Sequence, residues 1–182
     1  MTAKAVPSRT PSQAKVPPHP VKAVRGLLKS AELKARGGVG TYSFVDVFRA
    51  EPLARVRLIK EGLPANFLDQ LSREMNMPKE RLLPALGIAQ ATVSRKVRES
   101  KPLSSDDSER ALGMARLVGQ VEAMVQESGD PEDFNAAEWV AQWLEEPLAA
   151  LGGQRPADLM DTAEGQAIVS NMLSRMQSGA YA

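Results

Sequence analysis

The sequence comprises 182 residues, of which 43% are apolar and 25% are charged, and this length and composition allow one compact domain or two small ones. It contains no cysteine, which excludes disulfides, thiolate zinc sites and cysteine nucleophiles and fits a reducing cytoplasm. Only 4% of the residues are aromatic, so Leu, Ala, Val and Met must fill the core, and this composition favours helix.

Charge is distributed unevenly along the chain. Residues 1–25 contain five basic side chains and no acidic one, a net charge of +5. Residues 55–101 contain ten Lys or Arg and five Asp or Glu, again +5, whereas residues 126–166 contain ten Asp or Glu and one Arg, a net charge of −9. Different parts of the chain are therefore expected to meet different partners.

The first 24 residues combine basic side chains with proline and few large apolar groups, a composition typical of a disordered tail. They contain no apolar core of a signal peptide, and no later stretch is apolar enough to span a bilayer. We therefore expect a cytoplasmic protein with no membrane partner. Glycines at positions 37, 38 and 40 mark a break, after which an apolar cluster favours a helix turn over a strand.

Helical spacing of apolar residues dominates the following segment. A short amphipathic helix that ends at Gly62 and Pro64 is predicted from Leu53, Val56, Leu58, Ile59 and Leu63. Within residues 65–75, apolar side chains recur at intervals of three and four residues, which predicts a second helix.

Residues 79–96 fit a helix-turn-helix, with Gly87 at the turn and the second helix beginning near Ala89. The side chains expected to contact DNA are Gln90, Thr92, Ser94, Arg95, Lys96 and Arg98. Two positions depart from the usual pattern. Leu83 replaces a small residue, and Lys96 replaces an apolar one for which Val97 could substitute. The alternative interpretation is an ordinary helical pair with a solvated basic face.

A long helix is predicted over residues 105–126, with Ser104 or Ser105 as its N-cap. Its buried face is expected to contain Leu112, Ala115, Leu117, Val118, Val121 and Val125. The break at 129–131 separates a C-terminal module at 132–182, where Trp139 and Trp143 are either core residues or interface anchors. Asp161 and Thr162 are predicted to cap the last helix.

From residue 53 to the end, the sequence resembles the Xre/MbcA/ParS antitoxins. The resemblance rests on GIAQATVSRK at 87–96, Leu103 with SER at 108–110, WL at 143–144, LGGQRPADL at 151–159, Asp161-Thr162, Gly165, Arg175 and GAYA at 179–182. It implies an all-α protein in which an Xre-like helix-turn-helix bundle, at 37–128, carries DNA binding and dimerisation. A small helical toxin-binding domain, at 132–182, would follow it.

The family resemblance also implies a function: such a protein dimerises, represses its own operon through operator DNA, and holds a RES-type toxin inactive. RES toxins consume NAD, so the cofactor would belong to the partner and this chain would need none. The resemblance implies that Gly179, Tyr181 and Ala182 lie near the toxin's active-site entrance, although Tyr181 could instead cover the last helix. Arg175 is a further expected toxin contact. Arg155 could contact the toxin or cap the carbonyls of the preceding helix.

Two other classes of function remain open from the residues alone. A stand-alone repressor would use its C-terminal domain to dimerise or to sense a ligand. An enzyme is disfavoured, because acid/base chemistry needs paired carboxylates in a pocket and the acids here fall on helix surfaces and caps. His19, in the proline-rich tail, is expected to be solvated and not catalytic.

Overall fold

The structure, a computed structural model, describes residues 42–129 and 134–178, and within these ranges the regular elements are helical, without strands. The α-helices are α1 (Phe44–Arg49), α2 (Pro52–Glu61), α3 (Phe67–Glu74), α4 (Lys79–Ala85), α5 (Gln90–Arg98), α6 (Ser105–Ser128), α7 (Ala136–Trp143) and α8 (Ala163–Gln177). Two 3-10 turns, Ala149–Leu151 and Pro156–Leu159, connect α7 to α8. The predicted all-α fold is confirmed. The predicted basic tail at 1–24 lies outside the described residues.

Side-chain caps set the starts of four helices. The Ser104 hydroxyl accepts a hydrogen bond of 3.1 Å from the Asp107 N–H, so Ser104, of the two candidates, is the N-cap of α6. The Thr162 hydroxyl likewise accepts a hydrogen bond of 3.0 Å from the Gly165 N–H, so Thr162 is the N-cap of α8. Ser43 and Asn135 cap α1 and α7. Each such cap is worth about 1 kcal/mol to its helix, which explains why the boundaries follow the local sequence closely.

Helix α6 is the scaffold on which both halves of the chain pack. Helices α1 and α2 from the first half and α7 and α8 from the second lie against it. Its buried residues include Leu112, Ala115, Leu117, Val118 and Val121, as predicted, while Val125 is half-buried. One continuous apolar core runs from Tyr42 to Leu173. The predicted break near residue 129 therefore separates helices but does not divide the core.

The buried face of α2 differs from the predicted one. The helix packs against α6 through a narrow stripe that buries Ala54 and Leu58, which are four residues apart. Leu53 is 60% exposed and Val56 is 43% exposed, so these two predicted core residues lie on the surface. Apolar residues therefore occupy more of the surface of α2 than α6 covers.

Backbone pairing closes the segment that carries α3, α4 and α5. The Leu103 N–H donates to the Leu63 carbonyl at 2.8 Å, and the Leu63 N–H donates to the buried Ser108 hydroxyl at 2.9 Å. These bonds bring the entry and the exit of the segment together beside the start of α6. None of the helices in the described part of the chain has the length and apolar character needed to cross a membrane.

Candidate functional site

Helices α4 and α5 form the predicted helix-turn-helix around a glycine turn. Gly87, with φ of 61°, donates to the Pro84 carbonyl at 2.9 Å, and the Ile88 N–H donates to the Leu83 carbonyl at 2.9 Å. This double hydrogen bond is the Schellman ending of a helix, and its left-handed residue favours glycine. Leu83 is fully buried below the turn, so the bulky residue at this position is accommodated within the core.

Four exposed residues form the outward stripe of α5. Ala91, Ser94, Arg95 and Arg98 follow the spacing i, i+3, i+4 and i+7, opposite the buried Val93. Three of them were predicted as DNA contacts. Ala91 was not among the predicted contacts, although its helical spacing to Ser94 and Arg95 was visible in the sequence. A small apolar side chain on this stripe can contact a thymine methyl group.

The remaining predicted DNA contacts lie at the flanks of the stripe. Gln90 is exposed at the first turn of α5, whereas Thr92 and Lys96 are half-buried. The Lys96 ammonium donates a 2.7 Å hydrogen bond to the Pro102 carbonyl, so its stem covers the core and its charge reaches the surface. Val97 is 43% exposed and does not replace Lys96 in the core. The structure thus connects Lys96 to the loop before α6.

Ion pairs near α5 leave its cations available. Arg95 pairs with Glu99 at 3.4 Å, and Glu99 also pairs with Lys101 at 3.0 Å. Arg98 forms no ion pair with any residue in the described ranges. Exposed pairs of this kind contribute at most about 1 kcal/mol, so Arg95 can exchange Glu99 for a phosphate at little cost.

Arg155 lies in a charge network that joins the two halves of the chain. Its guanidinium pairs with Asp158 at 2.6 Å and with Glu145 at 3.0 Å, and Glu145 pairs with Arg81 of α4 at 2.9 Å. The hydrogen bond from Arg155 lowers the pKa of the Asp158 carboxyl, and the same bond raises the pKa of Arg155. The guanidinium therefore bonds carboxylates, and the cap on the preceding helix's carbonyls considered from the sequence is not formed.

Helix α8 presents one face to α6 and the other to solvent. Its inner face buries Gly165, Gln166, Val169, Met172 and Leu173. The outward stripe contains Glu164, Ile168, Asn171 and Arg175. Arg175 forms no ion pair with the described part of the chain. Gly179, Tyr181 and Ala182 lie outside the described residues.

Polar bonds anchor α8 on α6. The Gln166 side-chain amide donates to the Arg110 carbonyl at 3.1 Å and to the Met160 carbonyl at 2.8 Å. Gln120 of α6 donates to the Ser170 carbonyl at 3.0 Å, and the Ser170 hydroxyl donates back to Gln120 at 2.7 Å. Buried amides that are hydrogen-bonded in this way fix one orientation of the helix.

The tryptophan pair of α7 begins in the core and ends at the surface. Trp143 is 4% exposed, and it stacks on the half-buried Trp139 with ring centroids 5.8 Å apart. Phe134 lies 6.3 Å from Trp139 and is 40% exposed. Trp143 is therefore a core residue, as the commoner interpretation of a helix stripe expects, while Phe134 extends the aromatic row to solvent.

Comparison with known proteins finds a matching domain family for each half of the chain. Residues 54–116 match the antitoxin Xre-like helix-turn-helix domain, and residues 129–179 match the antitoxin Xre/MbcA/ParS C-terminal toxin-binding domain. These ranges include the α4–α5 turn and the α7–α8 pair, respectively.

Curated relatives agree with these matches. The Prs ADP-ribosylating antitoxin of Sphingobium sp. (strain YBL2) is 44% identical over 156 residues, which cover 85% of this chain and 98% of the relative. Antitoxin Xre of Photorhabdus laumondii is 25% identical over 67% of this chain and 77% of its own length. Antitoxin Xre of Pseudomonas putida is 26% identical over 66% of this chain and 69% of its own. The chain therefore belongs to the Xre/MbcA/ParS family of antitoxins, with a helix-turn-helix domain followed by a toxin-binding domain.

Proposed function

We propose that this antitoxin neutralises a RES-type toxin that transfers ADP-ribose from NAD, and that it represses its own operon. The observation that carries the choice of toxin is the 44% identity, over nearly the whole of the relative, to an antitoxin named for ADP-ribosylation. Transfer of ADP-ribose breaks the bond between nicotinamide and ribose in NAD and joins the ribose to the acceptor. NAD is therefore consumed by the toxin, and the antitoxin needs no cofactor.

Binding alone accounts for the antitoxin's part in this scheme. In the described ranges no group of three or more His, Cys, Asp or Glu side chains has the arrangement of a metal site. Glu145 and Asp158, two acids of the C-terminal half, are engaged in surface ion pairs with arginines. The role proposed for the chain is therefore binding, which its match to a toxin-binding domain supports.

Operator binding belongs, in this proposal, to α5 and its flanks. Arg95, Arg98 and Ser94 can reach base edges and phosphates from the outward stripe, with Gln90 and Thr92 beside them. Lys96 contributes phosphate attraction from its position beside Pro102. A single α5 reads few base pairs, so we expect a homodimer that places two such helices about one DNA turn apart on an inverted repeat.

Toxin binding belongs to residues 132–182. The net charge of −9 over residues 126–166 disfavours DNA and leaves the exposed face of α8 for a protein partner. Arg175 lies on this face, in the last turn of the helix, and precedes Gly179, Tyr181 and Ala182 in the chain by four to seven residues. Arg155 is exposed but already paired, so a toxin contact there must exchange Glu145 or Asp158 for a toxin carboxylate.

Coexpression with the gene next to this one tests the proposal. Cells that express the neighbouring toxin should lose NAD and stop growing, and the full-length antitoxin should restore growth and copurify with the toxin. A chain truncated after Ser178 should fail to restore growth while its melting temperature and operator affinity stay within error of the full chain. Rescue by the truncated chain would show that the last residues do not occlude the toxin's active site. A loss of melting temperature would assign Tyr181 to the fold.

A further inference from the structure

An open groove of about 400 Å³ lies between α2 and α8, with α6 as its floor. Its apolar walls are formed by Pro52, Val56, Ile59, Ala163 and Ala167. Six large apolar side chains in the described ranges are exposed: Leu53, Val56, Val97, Phe134, Ile168 and Met176. Four of these belong to α2 or α8, so the large exposed apolar side chains of the described residues are concentrated on the helices that wall the groove.

Two arginines add positive charge to the groove. Arg55 and Arg116 both line it, and neither forms an ion pair with a described residue. Arg55 donates to the Phe48 and Ala50 carbonyls and is held in place by them. Burial, and then the charge of Arg116, lower the pKa of Arg55. Glu109, the acid among the lining residues, lies seven residues before Arg116 on α6, about 10 Å away along the helix.

The groove continues into the outward face of α8. Asn171 lines the groove and also belongs to the exposed stripe that runs from Ile168 to Arg175. Helix α8 lies within the range that matches the toxin-binding domain, whereas α2 lies mostly within the range that matches the helix-turn-helix domain. A partner that binds the outward face of α8 can therefore also contact the groove and α2.

We propose that this groove receives an apolar segment of the toxin that carries a carboxylate side chain, with the apolar part against Val56 and Ala167 and the carboxylate beside Arg55 and Arg116. The inference rests on the proposed toxin partner and extends its footprint beyond the C-terminal domain. Charge complementarity selects the occupant, because two arginines that form no ion pair with a described residue line a groove with apolar walls, and an acid of the partner stabilises them. The toxin then holds residues of both domains.

Matched variants of the full-length antitoxin test the groove against toxin whose catalysis has been disabled. Val56→Asp places a charge in the groove. Val97→Asp places the same charge on α5, outside the groove, at a valine with an equal exposure of 43%. Arg116→Glu reverses one of the two positive charges in the groove, and Arg73→Glu reverses an exposed arginine on α3, outside the groove. Val56→Asp and Arg116→Glu should each weaken toxin affinity about 30-fold or more, while Val97→Asp and Arg73→Glu leave it unchanged.

Second measurements separate the groove from folding and from self-association. Melting temperature and the mass of the free antitoxin should be the same for all four variants and the wild type, and Arg116→Lys should retain most of the affinity. A halved mass for Val56→Asp would mean that a second copy covers the groove, and equal toxin affinity for all variants would mean that the toxin leaves it empty. Either result would overturn this inference and leave the proposed function unaffected. Absence of binding by the wild-type chain would overturn the proposed function and the inference with it.

Discussion

The two helices that carry the proposed contacts, α5 and α8, are attached to the core in different ways. Helix α5 buries one side chain, Val93, and is otherwise held by the glycine turn before it and by the bond from Lys96 to Pro102. Helix α8 buries five residues and is also bonded to its surroundings through its own Gln166 and through Gln120 of α6. A recognition helix with little buried area can expose most of its residues to DNA, whereas α8 buries five of its 15 residues to stay fixed on α6.

The largest effect is expected from the inner face of α8. A side chain at Gly165 would collide with the Leu159 carbonyl, which belongs to the backbone and cannot move aside. Gly165→Val should therefore lower the free energy of unfolding by about 3 kcal/mol or more and abolish toxin rescue.

Thermal unfolding and growth rescue check this, and Ala167→Val, at an exposed position of the same helix, is the control for thermal unfolding alone. The comparison predicts that Ala91→Val on α5 has no such effect on stability. A stable Gly165→Val protein would show that the 3-10 turn before α8 can shift.

A large effect on DNA binding, without one on stability, is expected at α5. Replacing Arg95 and Arg98 together with alanine removes two exposed cations of the stripe, and base or phosphate contacts are worth about 1–3 kcal/mol each. Affinity for the operator should fall about 30-fold or more, and the remaining binding should depend less steeply on salt.

Mobility-shift titrations at several salt concentrations measure this, and growth rescue should be intact. Arg57→Ala with Lys60→Ala, two exposed cations on α2, is the matched control. Undiminished binding by the α5 variant would place the recognition surface elsewhere.

An intermediate effect is expected at Lys96, where the two roles of α5 meet. Lys96→Met keeps an apolar stem over the core but removes the hydrogen bond to the Pro102 carbonyl, which is worth about 1 kcal/mol. Melting temperature should fall by a few degrees and operator affinity should fall less than for the arginine pair. If Lys96→Met lost as much operator affinity as the Arg95 and Arg98 variant, Lys96 would be a principal DNA contact instead.

The smallest effect is expected at Glu122, on the side of α6 that faces α1. Burial, and then the carboxylates of Glu74 and Asp46, raise the pKa of Glu122 above its ordinary 4.5, against a hydrogen bond with the Val45 backbone that lowers it. A raised pKa means that the contribution of this group to stability is present below pH 4.5 and is lost as the pH rises through the folded-state value.

Glu122→Gln cannot ionise, so its melting temperature should exceed that of the wild type modestly at pH 7, and the gap should close toward pH 4. Melting curves across this range measure it, with the exposed Glu146→Gln as control. A gap that widens on acidification would contradict the sign.

Local signals in the sequence determined the helices and their ends. Caps at Ser104 and Thr162, the glycine turn at Gly87 and the three-and-four spacing of apolar residues act within one or two turns of chain, so they can be identified without knowledge of the fold. The same local spacing predicted the position of α5 and made its outward stripe identifiable from the sequence. Family motifs, not periodicity, pointed to the toxin-binding domain at the C-terminal end.

Tertiary packing decided what each of these residues touches. Exposure of Leu53 and Val56 depends on how much of α2 is covered by α6, which lies more than 40 residues away in the chain. Arg155 bonds Glu145, and through it Arg81, because the end of α7 and the turn before α8 meet α4 on the folded core. The groove between α2 and α8 exists for the same reason: its walls come from the two ends of the described chain, and only their packing on a common helix brings them together.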